Sequence, residues 1–285
     1  MNELFKGTNV IVQGITGSHG SFQAKAMQNA GTNVVAGTTP GKGGHFVNGI
    51  PVYDTIKDIQ ADHKVDISVI FVPAKGAKGA ILEAIAAKVP LIVVITEGIP
   101  VHDMLVVNKA LKDSSSVLLG PNSPGALLPD INKLGIIPAN LSLQGSTAIV
   151  SRSGTLTYET MAGLSQRGIG QRYVIGIGGD TIHGVGYIDC LMFFESDPGV
   201  DKIILIGEIG GKEEVKAAEY IASSVKKPVY TYIAGHHAPK NVQLGHAGAI
   251  LGSDEESALA KTNQLQSSGA SVATSITELI NLVAK

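Results

Sequence analysis

Asn9-Val10-Ile11-Val12-Gln13-Gly14-Ile15-Thr16-Gly17-Ser18-His19-Gly20 is the stretch on which the fold turns. Its first part, Asn9 to Gln13, reads as a buried strand that runs directly into a turn spaced by Gly14, Gly17 and Gly20. A helical pattern then begins at Ser21. Strand, glycine turn and helix open a Rossmann-like unit, because free backbone N–H groups at the helix start can cradle a phosphate.

A nicotinamide site places an acidic residue about 20 positions on, at the end of the second strand, to hold a ribose. Here the second strand, Asn33-Val34-Val35-Ala36, ends in Gly37-Thr38-Thr39-Pro40-Gly41-Lys42-Gly43-Gly44. A lysine in a glycine loop stands where the carboxylate belongs, which fits a ligand with extra phosphate and disfavours NAD. The competing reading is a solvated lysine in a flexible loop. Asp66 to Pro73 reads as the next strand, Gly79 to Lys88 as a helix, Leu91 to Ile95 as a strand and His102 to Lys112 as a helix. Continuous apolar strands alternating with helices imply a parallel sheet covered on both faces, with ligands bound beyond the carboxyl ends of the strands. Thr16, Lys42 and the segment Ile95-Thr96-Glu97 all fall at that edge.

Val117-Leu118-Leu119-Gly120-Pro121-Asn122 closes a first domain over residues 1–122, and Pro and Gly crowd residues 123–145 as in an inter-domain crossing. A second α/β domain is expected over 146–285, starting with the strand Ser146 to Val150. That strand feeds Ser151-Arg152-Ser153-Gly154-Thr155-Leu156-Thr157-Tyr158-Glu159. Hydroxyls and a glycine at a helix start suit an anion, while Ser153 as a plain N-cap is an equal alternative. No Gly-x-Ser-x-Gly elbow appears, which disfavours a hydrolase serine. Ile203 to Ile206 ends in Gly207-Glu208-Ile209-Gly210-Gly211. Gly245-His246-Ala247-Gly248-Ala249-Ile250 follows the apolar run Val229 to Ala234, and small neighbours leave this imidazole open to attack or phosphoryl transfer. Glu208 either hydrogen-bonds one nitrogen of His246 or caps the helix after it. Ser257 to Gln266 and Ile276 to Ala284 read as amphipathic helices on the second sheet.

Composition agrees with this layout. A chain of 285 residues with 44% hydrophobic content can fill two cores, and 35 glycines with no Trp fit many tight strand-to-helix turns. The net charge of −2 gives no general pull toward nucleic acid or an anionic membrane, so any anion site has to be built locally. Cys190 is the only cysteine, which excludes an internal disulfide and a cysteine metal cluster, and its apolar surroundings put it in the core. His19, His45, His63, His102, His183, His236 and His237 lack the paired spacing of zinc ligands, so no metal site is expected in this chain. The first residues carry no signal or transit pattern and no apolar run approaches the roughly 18 residues of a membrane span. A soluble, cytoplasmic protein is expected.

Seven of these stretches, in this order, resemble the α subunit of succinate–CoA ligase along essentially the whole chain. They are Gly14-Ile15-Thr16-Gly17-Ser18, Thr39-Pro40-Gly41-Lys42-Gly43-Gly44, Ile95-Thr96-Glu97-Gly98-Ile99-Pro100, Gly120-Pro121-Asn122, Ser151 to Glu159, Gly207 to Gly211 and Gly245 to Ile250. The resemblance implies an α/β chain with a Rossmann-like CoA-binding domain followed by a flavodoxin-like parallel-sheet domain. It implies that Thr16, Gly17, Ser18, His19, Lys42, Ile95, Thr96 and Glu97 hold coenzyme A. Ser153 and Gly154 would hold phosphate, Tyr158 would lie at the substrate, Glu208 would orient His246, and His246 would become phosphohistidine. It also implies a β subunit with an ATP-grasp site for ATP/ADP or GTP/GDP and Mg²⁺, in an αβ or (αβ)2 complex, acting in the tricarboxylic acid cycle.

The sequence departs from the family pattern at Ser123, where cysteine is usual, at His45-Phe46-Val47, and at Thr181 and His183. Asn241-Val242-Gln243 and Ser253-Asp254-Glu255-Glu256 also lower the positive charge on either side of His246. Two other readings stay open: a malate–CoA ligase α subunit, and a CoA-binding or phosphate-sensing protein without turnover.

Overall fold

The computed structural model describes residues 2–236 and 245–285. Asn241-Val242-Gln243 and His237 lie outside the described residues. The chain divides into two units, Met1–Ile137 with Ile182–Gly184, and Pro138–Thr181 with Val185–Lys285.

The first unit starts with one helical turn, α1 (Asn2–Phe5), and then β1 (Val10–Gln13), which is buried along its whole length. Helix α2 (Ser18–Asn29) begins at Ser18 rather than at Ser21, with Gly17 as N-cap. Two glycines allow this early start. Gly14 leaves the strand with φ +81°, a left-handed conformation that a side chain would strain. A Cβ on Gly20 would stand 2.2 Å from the Gly14 carbonyl oxygen, so the first turn of α2 can press on the strand end only without one. There follow β2 (Val34–Thr38), β3 (Phe46–Val47), β4 (Ile50–Tyr53), α3 (Ile56–Asp62), β5 (Ile67–Ile70), α4 (Ala74–Ala86), β6 (Leu91–Val94), α5 (Val101–Lys112) and β7 (Val117–Leu119). Helix α4 starts at Ala74, ahead of the expected Gly79, because Gly76 and Gly79 blur the helical pattern of its first turns.

The sheet order is β3-β4-β2-β1-β5-β6-β7, and every pairing is parallel except that of β3 with β4. Without that antiparallel edge the order is the doubly wound Rossmann one, and its switch point lies between β1 and β5. The helices cover the sheet through apolar side chains such as Ile56 and Ile59 on α3, Ile81 and Ala84 on α4, and Met104 and Val107 on α5. Within the Pro- and Gly-rich stretch read as a crossing, β8 (Gly125–Leu128) and β9 (Asn132–Gly135) form an antiparallel hairpin whose residues group with this unit. Its polar residues fasten it: Asn132 donates to the Phe5 and Gly7 carbonyls at 3.0 and 3.1 Å, and the Lys133 N–H donates to Thr32 Oγ1 at 2.8 Å.

The second unit contains β10 (Gln144–Ser151), α6 (Gly154–Ser165), β11 (Gln171–Gly176), α7 (Tyr187–Ser196), β12 (Lys202–Glu208), α8 (Glu213–Ser224), β13 (Val229–Ala234), α9 (Ala258–Ser267), β14 (Ser271–Ala273) and α10 (Ile276–Val283). Its strands pair in parallel in the order β11-β10-β12-β13-β14. Numbered within the unit this is 2-1-3-4-5, the flavodoxin-like order, with its switch point between β10 and β12. Ile203, Ile204, Leu205 and Ile206 of β12 are fully buried, as a central parallel strand covered on both faces requires. Cys190 is buried in α7. Ile276, Leu279, Ile280 and Val283 form the buried stripe of α10.

Candidate functional site

Each unit carries polar groups at the carboxyl edge of its sheet, at its own switch point. In the first unit this edge holds a cleft of about 620 Å³ lined by the turn Gln13 to Gly20, the strand end Thr38-Thr39-Pro40, Phe71-Val72-Pro73 and one face of α4. Thr16, Gly17, Ser18 and His19 are exposed along it, and α2 has no acidic residue in its first turn. Its free N–H groups and the positive end of its dipole therefore face the cleft uncompensated, as an anion requires. Thr16 Oγ1 and Thr39 Oγ1 stand 3.1 Å apart and tie the two strand ends together.

Lys42 and Ile95-Thr96-Glu97 follow β2 and β6 at the same edge but do not line this cleft. Lys42 is exposed, and its loop is shaped by Asp54, whose Oδ1 accepts the N–H groups of Lys42 and Gly43 at 3.1 and 3.0 Å. Thr96 donates to the Val72 carbonyl at 2.6 Å, which joins its segment to a wall of the cleft, and Glu97 is exposed. Ser123 is buried and its Oγ accepts from the Gly125 N–H at 2.8 Å, so its hydroxyl shapes the turn into β8.

One part of the cleft escapes sequence reasoning. Glu83 on α4 turns its carboxylate inward: Oε1 accepts the Ile56 N–H at 2.8 Å and Oε2 accepts from Gln13 at 3.1 Å. Gln13 in turn accepts from Ser68 at 2.8 Å. The carboxylate thus secures the floor with hydrogen bonds. Only the single polar residues Gln13 and Ser68 in otherwise apolar strands mark the place in the sequence.

In the second unit the turn after β10 enters α6. Ser153 is its N-cap, and its Oγ accepts the Leu156 N–H at 3.3 Å, so the capping reading holds. The same hydroxyl keeps its hydrogen for a second partner, and Gly154 stands at the first helical position. Tyr158, one turn further, is half-buried, and burial pushes its phenol up to about 12, so it remains a donor at neutral pH.

Glu208 ends β12 and meets His246: Nδ1 and Oε2 are 2.7 Å apart. With Nδ1 bonded to a carboxylate, Nε2 is the nitrogen left with the lone pair in the neutral ring. The Glu208 hydrogen bond lifts the imidazole above 6.5. Burial and the charge of Arg152 oppose that rise, while the charges of Glu208 and Asp180 assist it. Room for the ring comes from Gly179, where a Cβ would stand 2.2 Å from His246 Cγ. The Gly248 N–H donates to the Gly179 carbonyl at 3.1 Å and holds the loop there.

Arg152 is a participant that the sequence reading left without a role. It is 4% exposed, and its Nε lies 3.3 Å from Glu208 Oε1, an ion pair rather than an aligned hydrogen bond. Burial weakens its hold on the proton, but the surrounding Tyr187, Glu214, Glu208 and Glu213 more than restore it. Glu208 therefore sits between a permanent cation on one oxygen and an imidazole on the other. Such a site can stabilise added negative charge on the ring and can keep one nitrogen nucleophilic.

The chain matches two family models, a CoA binding domain over residues 5–98 and a CoA-ligase domain over residues 150–272. It is 47% identical over 278 residues to the ADP-forming succinate–CoA ligase subunit alpha 1 of Archaeoglobus fulgidus, covering 98% of this chain and 95% of the relative. The corresponding subunit of Aquifex aeolicus is 48% identical over 282 residues, covering 98% and 92%. That of Staphylococcus aureus is 44% identical over 274 residues, covering 96% and 91%.

Among solved structures, ATP citrate lyase from Methanothrix soehngenii, in complex with citrate and coenzyme A, aligns with a TM-score of 0.87 at 24% identity. The alignment covers 97% of this chain but 49% of the lyase chain, so this chain spans about half of it. The dinucleotide-forming acetyl-coenzyme A synthetase 1 of Ca. Korarchaeum cryptofilum aligns at 0.77 and 22% identity, covering 98% and 61%. These distant structures share the fold. Similarity over nearly the whole length, and a CoA-binding domain followed by a CoA-ligase domain, lead to one conclusion: the chain belongs to the succinate–CoA ligase α-subunit family.

Proposed function

We propose that this chain is the α subunit of an NDP-forming succinate–CoA ligase and that His246 is its phosphoryl carrier. The carrying observation is the 2.7 Å contact of His246 Nδ1 with Glu208, which leaves Nε2 as the reactive nitrogen. Coenzyme A binds in the first unit, its phosphates at Thr16, Gly17, Ser18 and His19, with Lys42 and Ile95-Thr96-Glu97 completing the site along the same sheet edge. The uncompensated start of α2 supports this part of the reading.

Inorganic phosphate is held by the N–H of Gly154 and the hydroxyl of Ser153, with Tyr158 donating to the substrate. A phosphate oxygen attacks the thioester carbonyl of succinyl-CoA; the C–S bond breaks and coenzyme A leaves with a proton. His246 Nε2 then attacks the phosphorus of succinyl phosphate, and succinate departs as a carboxylate. Finally a terminal oxygen of the nucleoside diphosphate attacks the phosphohistidine, the P–N bond breaks, and the ring returns to its Glu208 bond. Glu208 and Arg152 keep the charge near the ring balanced during both transfers. Nucleotide and Mg²⁺ are supplied by an ATP-grasp β subunit, in an αβ or (αβ)2 complex, in the cytoplasm and as a step of the tricarboxylic acid cycle.

The test is to co-express the chain with an ATP-grasp partner and incubate the complex with labelled nucleoside triphosphate and Mg²⁺. Acid-labile, base-stable label is expected on the wild type, absent in His246→Asn, and discharged by succinate with coenzyme A. Discharge by malate alone would reassign the substrate. An unlabelled, well-formed complex would refute the phosphoryl-carrier reading in favour of a sensor without turnover.

A further inference from the structure

Beneath Glu208 lies an ion pair that the reaction itself does not use. Lys261 on α9 and Glu214 on α8 have fully buried side chains, 0% exposed, and they meet each other. The Lys261 ammonium has three hydrogens and three acceptors: the Glu208 carbonyl at 2.7 Å, the Gly210 carbonyl at 2.6 Å, and Glu214 Oε2. The other carboxylate oxygen, Glu214 Oε1, accepts the Glu208 N–H at 3.2 Å. Both backbone polar groups of Glu208 are therefore bonded to the two members of one ion pair.

The surroundings are built for this arrangement. A Cβ on Gly207 would stand 2.7 Å from Glu214 Cγ, so the glycine lets the carboxylate reach the strand end. Tyr187 donates to the Ile206 carbonyl at 2.8 Å and stands 3.5 Å from Glu214 Oε1, closing the far side. Gly210, whose carbonyl Lys261 holds, packs on the histidine loop itself: a Cβ there would stand 2.2 Å from the Gly248 oxygen. Stability alone is a weak reason for such a pair, because desolvating two charges offsets most of their attraction.

We propose that Lys261 and Glu214 are positioning residues for His246: by clamping the backbone of Glu208 and Gly210 they set both the carboxylate that meets Nδ1 and the surface that seats the histidine loop. The clamp rests on the reading of His246 as phosphoryl carrier for its consequence in catalysis, though its effect on the ring does not. The charged groups acting on His246 are Glu208, Arg152 and Asp180, and the clamp acts through the first.

Lys261→Met alone strands a buried carboxylate, so the informative variant combines Lys261→Met with Glu214→Gln, removing both charges at similar volume. The full chain, labelled with ¹⁵N-histidine and assigned by the signal lost in His246→Asn, is titrated by NMR. With circular dichroism unchanged, the His246 midpoint is expected to move down toward that of an ordinary imidazole. In the complex with the β partner, phosphorylation should slow on the order of 10- to 100-fold, with KM for coenzyme A unchanged. Glu214→Gln alone keeps the volume and one of the two acceptor oxygens, exchanges the other for an N–H₂ donor and removes the charge beside Lys261; if the double variant does not fold, this single variant should shift the midpoint the same way. Folded variants that titrate and label as the wild type does would overturn the clamp. A clamp-dependent midpoint in a chain whose wild type takes no phosphate would support the clamp and refute the carrier reading.

Discussion

At the scale of single residues, the site in the second unit is a balance of charge around Glu208. His246 is held above 6.5 chiefly by the Glu208 hydrogen bond, and an imidazolium has no lone pair to offer phosphorus. Phosphorylation of His246 should therefore rise with pH through a midpoint above 6.5 and then level. Glu208→Gln should lower that midpoint, since burial and Arg152 then act with less opposition, and should reduce the plateau rate on the order of a hundredfold as the ring loses its counter-charge. A pH–rate profile of label transfer checks both effects; an unmoved midpoint would remove Glu208 from this role. The same bond has a stability signature. A raised imidazole stabilises the folded state most below about 6.5, and that contribution fades as pH rises through the folded-state value.

At the scale of elements, β11 and α7 are joined by a carboxylate. Asp197, the C-cap of α7, accepts from Arg172 Nε and Nη2 at 2.8 and 3.1 Å, from the Tyr173 hydroxyl, and from the Gly199 N–H at 2.8 Å. Burial alone would raise this carboxyl, yet these donors bring it down from 3.8 to about 2. A depressed carboxyl stabilises the fold above its unfolded value and loses that contribution as pH falls from 3.8 toward about 2. Asp197→Asn should cost about 2 kcal/mol at neutral pH. In urea titrations the gap between wild type and variant should narrow as pH falls below 3.8 and close only below about 2; a constant gap would mean that packing, not ionisation, carries the effect.

At the scale of the whole molecule, two doubly wound sheets each present their own switch point, so the coenzyme A binding and phosphoryl transfer proposed above should be separable by substitution. Gly20→Ala forces a Cβ to within 2.2 Å of the Gly14 oxygen and should distort the turn proposed to cradle the phosphates. Its expected phenotype is weakened coenzyme A binding by calorimetry, by at least tenfold, with labelling of His246 from nucleoside triphosphate retained. His246→Asn should show the reverse: no label and unchanged affinity for coenzyme A. Loss of both activities in either variant would mean that the two functions share one site.

What the sequence determined is whatever is encoded locally or in order. Apolar runs such as Ile203 to Ile206 gave the buried parallel strands, and glycine turns after them marked the carboxyl ends of those strands, because backbone that must bend tightly leaves few residue choices. The resemblance assigned the motifs from Thr16 to His246 to one family, and the order of strands in both sheets agrees with the folds it implied. Element starts were less legible: α2 begins early because Gly20 is required where the helix presses on Gly14, which periodicity cannot register, and α4 because Gly76 and Gly79 blur the helical pattern of its first turns. Tertiary structure alone brought together residues far apart in the chain. Glu208 and His246 are separated by 38 positions, Glu214 and Lys261 by 47, and Gln13 and Glu83 by 70. A lone lysine on a helix reads as a solvated charge. Only the packed fold reveals that Lys261 is fully buried and gives two of its hydrogens to the strand end that carries Glu208 and the third to Glu214.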